Sequence, residues 1–109
     1  MNSENAAASE QHDGDWPFAE PPGTLVITTR QVIERGLPIL LVTHDVDDGA
    51  WQFLHGDNAK EQDARIVRLD EILARDPSVR ALAGLLRGWQ ASRRSPDASW
   101  EQAPILDPV

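Results

Sequence analysis

The chain has 109 residues, of which 40% are hydrophobic and 26% charged, so it is long enough for one globular domain and too short for two. Its formal net charge of −8 argues against binding to nucleic acid or to an anionic membrane, since both attract basic proteins. The absence of cysteine excludes disulfides, thiolate metal sites and a cysteine nucleophile. The sequence contains neither a membrane-length apolar run nor a signal peptide, and therefore predicts a cytoplasmic protein.

Composition divides the chain into three segments. Residues 1–15 are polar and poor in large apolar side chains, so we expect a disordered N-terminal tail. Residues 16–94 form the predicted single domain, which opens with a proline-rich arm, Trp16 to Gly23, laid over its surface. Residues 95–109 hold three prolines and are predicted to be irregular.

Short runs rich in β-branched, aromatic or continuous apolar residues predict five strands. They cover residues 24–28, 39–42, 50–54, 65–69 and 88–94. Because only a short turn separates the second run from the third, we expect these two to pair as an antiparallel hairpin. Alternation along the third run puts Trp51 and Phe53 on one face, and we expect both in the core together with Trp89.

The predicted helices are short and lie between the strands. Residues 30–35 follow Thr29, a favourable N-cap residue, and end at Gly36. Residues 70–75 form a second helix, and Asp76-Pro77 begins a third. The third helix has a predicted apolar stripe at Val79, Leu82, Leu85 and Leu86. This pattern predicts the α+β class, with a small, mainly antiparallel sheet of about five short strands and two or three short helices.

The densest polar cluster is a turn that carries Asp45, Asp47 and Asp48 and closes at Gly49. Asp side chains bond to nearby turn amides, but three carboxylates are more than one tight turn requires. We expect the surplus to face solvent and to accept hydrogen bonds from Arg or Lys on a partner. The sequence thus predicts a non-catalytic protein-binding module that contacts a protein with a basic surface through these three residues.

The alternative is an enzyme or metal-binding protein that uses His44, Asp45 and Asp57. A helix-loop-helix calcium loop starting at Asp45 fails, since its glycine falls at position 5 instead of 6. The hairpin places His44 and His55 at opposite ends, too far apart for one site. The sequence also lacks a nucleophile elbow, a phosphate-binding loop and a dinucleotide fingerprint. We therefore expect no catalysis, no cofactor and no metal.

The run from His44 through the acidic turn to Phe53 resembles a family of small bacterial domains, the domain-of-unknown-function family 2185, also described as immunity-protein-33-like. The similarity spans residues 16–94 and includes the strand-helix-strand opening, Gly56-Asp57, Asp76-Pro77 and Gly88-Trp89. Many relatives have further acidic residues after the Gly-Asp step, where this chain has Asn58-Ala59-Lys60-Glu61. The resemblance implies no catalytic residues, and it implies a role like that of immunity proteins, which neutralise bacterial toxins.

Overall fold

The structure, a computed structural model, describes residues 16–106, so the predicted N-terminal tail lies outside the described residues. Six strands form one sheet: β1 (Leu25–Thr29), β2 (Leu41–His44), β3 (Trp51–Leu54), β4 (Ala64–Arg68), β5 (Trp89–Ser92) and β6 (Glu101–Pro104). The described helices are α1 (Arg30–Arg35), α2 (Leu69–Arg75) and two 3-10 helices, Glu61–Asp63 and Pro77–Leu82. The predicted α+β class is confirmed, with six strands instead of five.

The strand order across the sheet is β4-β1-β3-β2-β5-β6. The predicted hairpin is confirmed, because β2 and β3 pair antiparallel with Val42 opposite Phe53 and His44 opposite Trp51. Among the described strands, only the neighbours β1 and β3 run parallel. The sheet is therefore mixed but mainly antiparallel. The register of the hairpin puts the acidic turn directly after the His44–Trp51 pair.

The core lies on one face of the sheet. The buried side chains of the strands include Val26, Val42, Phe53 and Ala91, and these pack with apolar residues from α1, α2 and the second 3-10 helix. The opposite face keeps residues such as Ile27, Leu41 and Leu54 only half-buried. No helix within residues 16–106 is long and apolar enough to cross a membrane.

The predicted third helix is a 3-10 helix followed by turns, and its apolar stripe differs in one position. Val79, Leu82 and Leu85 are buried, whereas Leu86 is 63% exposed. The 3-10 helix ends at Leu82, so Leu85 and Leu86 lie in the irregular segment after it, where neighbouring side chains do not keep a helical face. The expectation that Leu86 joins the core is therefore wrong.

The expectation of an irregular segment over 95–109 is also wrong for part of its length, because β6 pairs antiparallel with β5. All four β6 residues are exposed, and none is β-branched or large and apolar. Local propensity therefore gives no strand signal here. The strand forms because tertiary contacts bring it beside β5.

The tertiary contacts around β5 and β6 centre on the Arg93 side chain, which is buried just after β5. Its guanidinium donates two hydrogen bonds to the Ile39 carbonyl, at 2.9 and 3.1 Å, and one to the Asp76 carboxylate at 2.8 Å. It also donates to the Ser78 hydroxyl. The guanidinium carbon lies 4.1 Å from the centre of the Trp100 ring, immediately before β6. One cation thus joins four separate segments of the chain.

We predict that Arg93→Leu lowers the free energy of unfolding by about 3–5 kcal/mol, because removing one partner of a buried pair leaves the other unpaired. Arg94→Leu is the matched control, since Arg94 is exposed and bonded to no described residue. That change should cost no more than about 0.5 kcal/mol. Urea unfolding measures both values, and equal losses for the two variants would contradict the role assigned to Arg93.

A second buried charge, Asp63, joins the loop before β4 to α1. Its carboxylate accepts a hydrogen bond from the Arg30 guanidinium at 3.0 Å. Hydrogen bonds from Gln31 and Arg30 hold the pKa of the Asp63 carboxyl below its usual value. Because the folded-state pKa is depressed, the ionised carboxylate stabilises the fold at neutral pH, and protonation removes that contribution.

We predict that the stability contributed by Asp63 is present at neutral pH and is lost as the pH falls below about 4. Asp63→Asn cannot titrate and should therefore reduce the acid-induced loss of stability. Unfolding curves between neutral and acid pH, compared for the two proteins, measure the difference. A constant difference across that range would show that ionisation of Asp63 is not linked to folding.

Candidate functional site

The acidic turn between β2 and β3 uses two of its three carboxylates as local caps. Asp45 Oδ1 accepts a hydrogen bond from the Asp47 amide at 2.7 Å. Asp48 Oδ1 accepts one from the Ala50 amide at 2.9 Å. The Asp47 carboxylate is exposed and bonded to no described residue. The three predicted contact residues therefore lie together, but their local roles differ.

A cation lies directly beside this turn. Gly49 has a φ of +71°, and a Cβ at this position would lie 2.6 Å from an Arg87 guanidinium nitrogen. The left-handed backbone favours glycine at this position, and a side chain here would also displace the Arg87 guanidinium. Along the sequence no Lys or Arg follows the turn until Lys60, but the fold brings the guanidinium of Arg87 beside Gly49.

Exposed apolar residues gather at the same end of the sheet as the acidic turn. The Gly88 amide donates to the His44 carbonyl at 2.7 Å, and the Ile105 amide donates to the Gly88 carbonyl at 2.7 Å. A Cβ at Gly88 would lie 3.4 Å from the Val46 Cβ. The turn, the loop before β5 and the chain after β6 therefore meet at this end.

We call the exposed apolar residues on these three segments the apolar end patch. It consists of Val46 (63% exposed), Leu86 (63%), Ile105 (40%) and Leu106 (86%). These are four of the seven large apolar residues that are strongly exposed within residues 16–106. The carboxylates of Asp47 and Asp48 and the Arg87 guanidinium lie on the same segments. An exposed apolar patch with charged residues at its rim is typical of a protein-interaction site.

Behind the acidic turn, a stack of rings fills the core side of the hairpin. The rings of His44 and Trp51 stack with centroids 3.9 Å apart, and Trp51 also stacks on Phe53 at 5.8 Å. Trp51 and Phe53 are both buried. Trp89, the third aromatic residue predicted for the core, is half-buried and packs against the edge of the core. This packing gives the acidic turn a rigid base.

The N-terminal arm, Trp16 to Gly23, lies over this stack. Phe18 is buried with its ring edge-on to Trp51, at a centroid distance of 5.1 Å. The Trp51 indole donates to the Glu20 carboxylate at 3.0 Å. The Trp16 indole donates to the Glu20 carbonyl at 2.6 Å. Ring packing and the hydrogen bond from Trp51 to Glu20 therefore hold the arm on the domain, and the Trp16 hydrogen bond closes the arm on itself.

His44 is buried under the arm and has one satisfied ring nitrogen. Its Nδ1 donates to the Leu85 carbonyl at 2.7 Å, because a carbonyl oxygen only accepts. Its Nε2 lies 3.8 Å from the Glu20 carboxylate and has no hydrogen-bond partner among the described residues. This geometry fixes the orientation of the ring and makes His44 part of the core and not of the exposed acidic cluster.

The residues of the alternative enzyme or metal site do not come together. His44 is held by Leu85 and the Trp51 ring, and Asp45 caps the turn. Asp57 lies beyond the opposite end of β3, in a shallow cleft that it shares with Arg94. Within residues 16–106, no group of three or more His, Asp and Glu side chains is arranged to hold a metal ion.

Sequence reasoning found the acidic turn but missed the apolar end patch. The sequence pattern places Leu86 in the core and predicts an irregular segment over residues 95–109, so it connects neither segment with the turn. No local signal separates Leu85 from Leu86, because both follow the end of the 3-10 helix at Leu82 and their burial depends on tertiary contacts.

Comparison of the chain with protein-family models, curated proteins and solved structures found no match in any of the three. The resemblance to the immunity-protein-33-like domains therefore stays a prediction.

We predict that Trp51→Ala lowers the free energy of unfolding by about 3–5 kcal/mol, because it removes a buried aromatic side chain from between His44, Phe53 and the arm. Trp51→Phe keeps a ring in the stack and removes the indole donor to Glu20, so it should cost less. Thermal and urea unfolding measure both variants. If Trp51→Ala melts within a few degrees of the parent, the ring stack does not support the hairpin.

Proposed function

We propose that this protein is a small, non-catalytic protein-binding module that acts in the cytoplasm. It holds its partner at the end of the sheet where the apolar end patch meets the acidic turn. The observation that carries the proposal is the convergence of these two features, which come from three separate segments of the chain. The apolar residues supply surface that the partner can bury. The carboxylates orient the partner and attract its positively charged groups.

The chemistry of the surface defines the partner that would fit. A protein with an apolar contact area bordered by Arg or Lys would bury the end patch and pair with Asp47 and Asp48. Arg87 lies beside Gly49 and neutralises part of the negative charge of the turn. A positive charge on the partner is therefore favoured next to Asp47, whose carboxylate has no hydrogen-bond partner among the described residues. The immunity-like role implied by the family resemblance is one form of this function, in which the partner is a toxin.

The rigidity of the base supports recognition without rearrangement. The turn is closed by the two Asx hydrogen bonds and lies on the His44–Trp51 stack, so little conformational freedom is lost on binding. Long-range attraction to the carboxylates acts mainly on the association rate and is screened by salt.

We predict that the double change Asp47→Asn and Asp48→Asn leaves stability within about 0.5 kcal/mol of the parent. The reason is that an Asn side chain at position 48 keeps the oxygen that accepts from the Ala50 amide. The same change should slow association with the partner and flatten its salt dependence. The partner is first captured from the native host and then purified, and surface plasmon resonance at several salt concentrations measures the rates.

The matched control is Asp57→Asn with Glu61→Gln, which removes the same charge at the other end of the hairpin, where both residues are exposed. This control should bind with a salt dependence close to that of the parent. Leu106→Ser should raise the dissociation rate by removing apolar contact area. Unfolding of the Asp47/Asp48 variant would make the carboxylates structural, and unchanged kinetics would move the binding surface away from the turn.

A further inference from the structure

The β4 strand forms one edge of the sheet and presents unpaired backbone groups. The Leu69 amide donates to the Thr24 carbonyl, which sets the alternation of the β1–β4 ladder. Residues 65 and 67 therefore direct their amide and carbonyl groups toward β1, and residues 64, 66 and 68 direct theirs outward. Among these outward groups, the Ala64 amide already donates to the Glu61 carbonyl, and the Ala64 carbonyl accepts a hydrogen bond from the Arg65 guanidinium at 2.9 Å. The Ile66 groups and the Arg68 amide have no hydrogen-bond partner among the described residues.

The two edges of the sheet differ in how they are protected. At the β6 edge, Pro104 has no amide hydrogen, and proline on an edge strand limits pairing with another chain. The β4 strand contains no proline, and at its centre Ile66 is 69% exposed. Its two arginines form ion pairs within the chain, Arg65 with Glu34 at 3.4 Å and Arg68 with Asp70 at 2.9 Å. These charges are therefore compensated before any second chain approaches.

We propose that a second copy of this chain pairs with the β4 edge in antiparallel orientation, with the two-fold axis at Ile66. In this register all five β4 residues overlap, Arg65 lies opposite Val67 of the second copy, and Arg68 lies opposite Ala64. Pairing centred on Arg65 or Arg68 would put like charges directly opposite each other, which is destabilising. Pairing centred on Val67 would overlap only residues 66–68. The sequence of β4 is therefore self-complementary in one full register.

The proposed pairing provides a small set of contacts. Ile66 exchanges two backbone hydrogen bonds with its symmetry mate. Each Arg68 amide donates to the Ala64 carbonyl of the other copy, using the lone pair that the Arg65 guanidinium leaves free. The two Ile66 side chains meet on the open face of the sheet. Such an interface lies at the small end of the range for specific association, so the dimer is weak and depends on protein concentration. It lies at a different edge from the acidic turn and is independent of the proposed binding function.

The test uses the absence of cysteine from the chain. Opposite residues of a hydrogen-bonded antiparallel pair have Cα atoms about 5.5 Å apart, within the roughly 4.4–6.8 Å that a disulfide requires. Ile66→Cys should therefore form a covalent dimer under mild oxidation. Ala64→Cys is the matched control, because the two copies of residue 64 would lie four residues apart along the strands, about 13 Å.

We expect the covalent dimer of Ile66→Cys to form at least tenfold faster than that of Ala64→Cys, as measured by non-reducing gel electrophoresis. The double variant Ala64→Cys with Arg68→Cys should cross-link readily, since these positions are opposite each other. Sedimentation equilibrium of the cysteine-free protein should show a concentration-dependent dimer that Ile66→Lys abolishes. Leu25→Lys, on the same face but one strand inward, should leave that dimer intact. Equal cross-linking of the two single variants, or a monomer at every concentration, would overturn the proposal.

Discussion

The Arg93 guanidinium is the interaction on which the arrangement of this small fold depends. It joins the segment before β2, the start of the second 3-10 helix and the segment before β6, which share no local contacts along the chain. A folded region of this size has a limited core, so a buried, fully bonded cation that orders several segments has a large effect. It also contacts Trp100, which immediately precedes β6, the strand that pairs with β5 and forms one edge of the sheet.

The second constraint is the ring stack beneath the hairpin. Trp51 packs between His44, Phe53 and the N-terminal arm, and its indole bonds to Glu20. This packing connects the arm to the base of the acidic turn, although Glu20 and Trp51 are 31 residues apart in sequence. A substitution in the arm would therefore alter the position of the proposed binding surface through core packing and not through the solvent-exposed carboxylates.

The two proposed surfaces bind through different interactions. The acidic turn and the apolar end patch combine burial with charge and suit a partner of opposite charge. The β4 edge offers backbone hydrogen bonds and one exposed Ile66, and its pattern matches itself. Because they lie on different parts of the sheet, a dimer paired through β4 would leave both copies of the end patch accessible, and association could raise the valency of binding.

The sequence by itself determined the α+β class, the hairpin and the exposed acidic turn. These follow from local rules: apolar alternation selects strands, Gly49 closes a turn, and carboxylates near turn amides cap them. The tertiary structure alone decided that Leu86 faces solvent, that residues 101–104 form a strand, that Arg87 lies beside the turn and that Arg93 and not Arg94 is buried. Each depends on which other segment lies alongside. Alternation puts Arg93 on the same face as Ala91, but only the segments that fold over it supply the partners that let a cation be buried there.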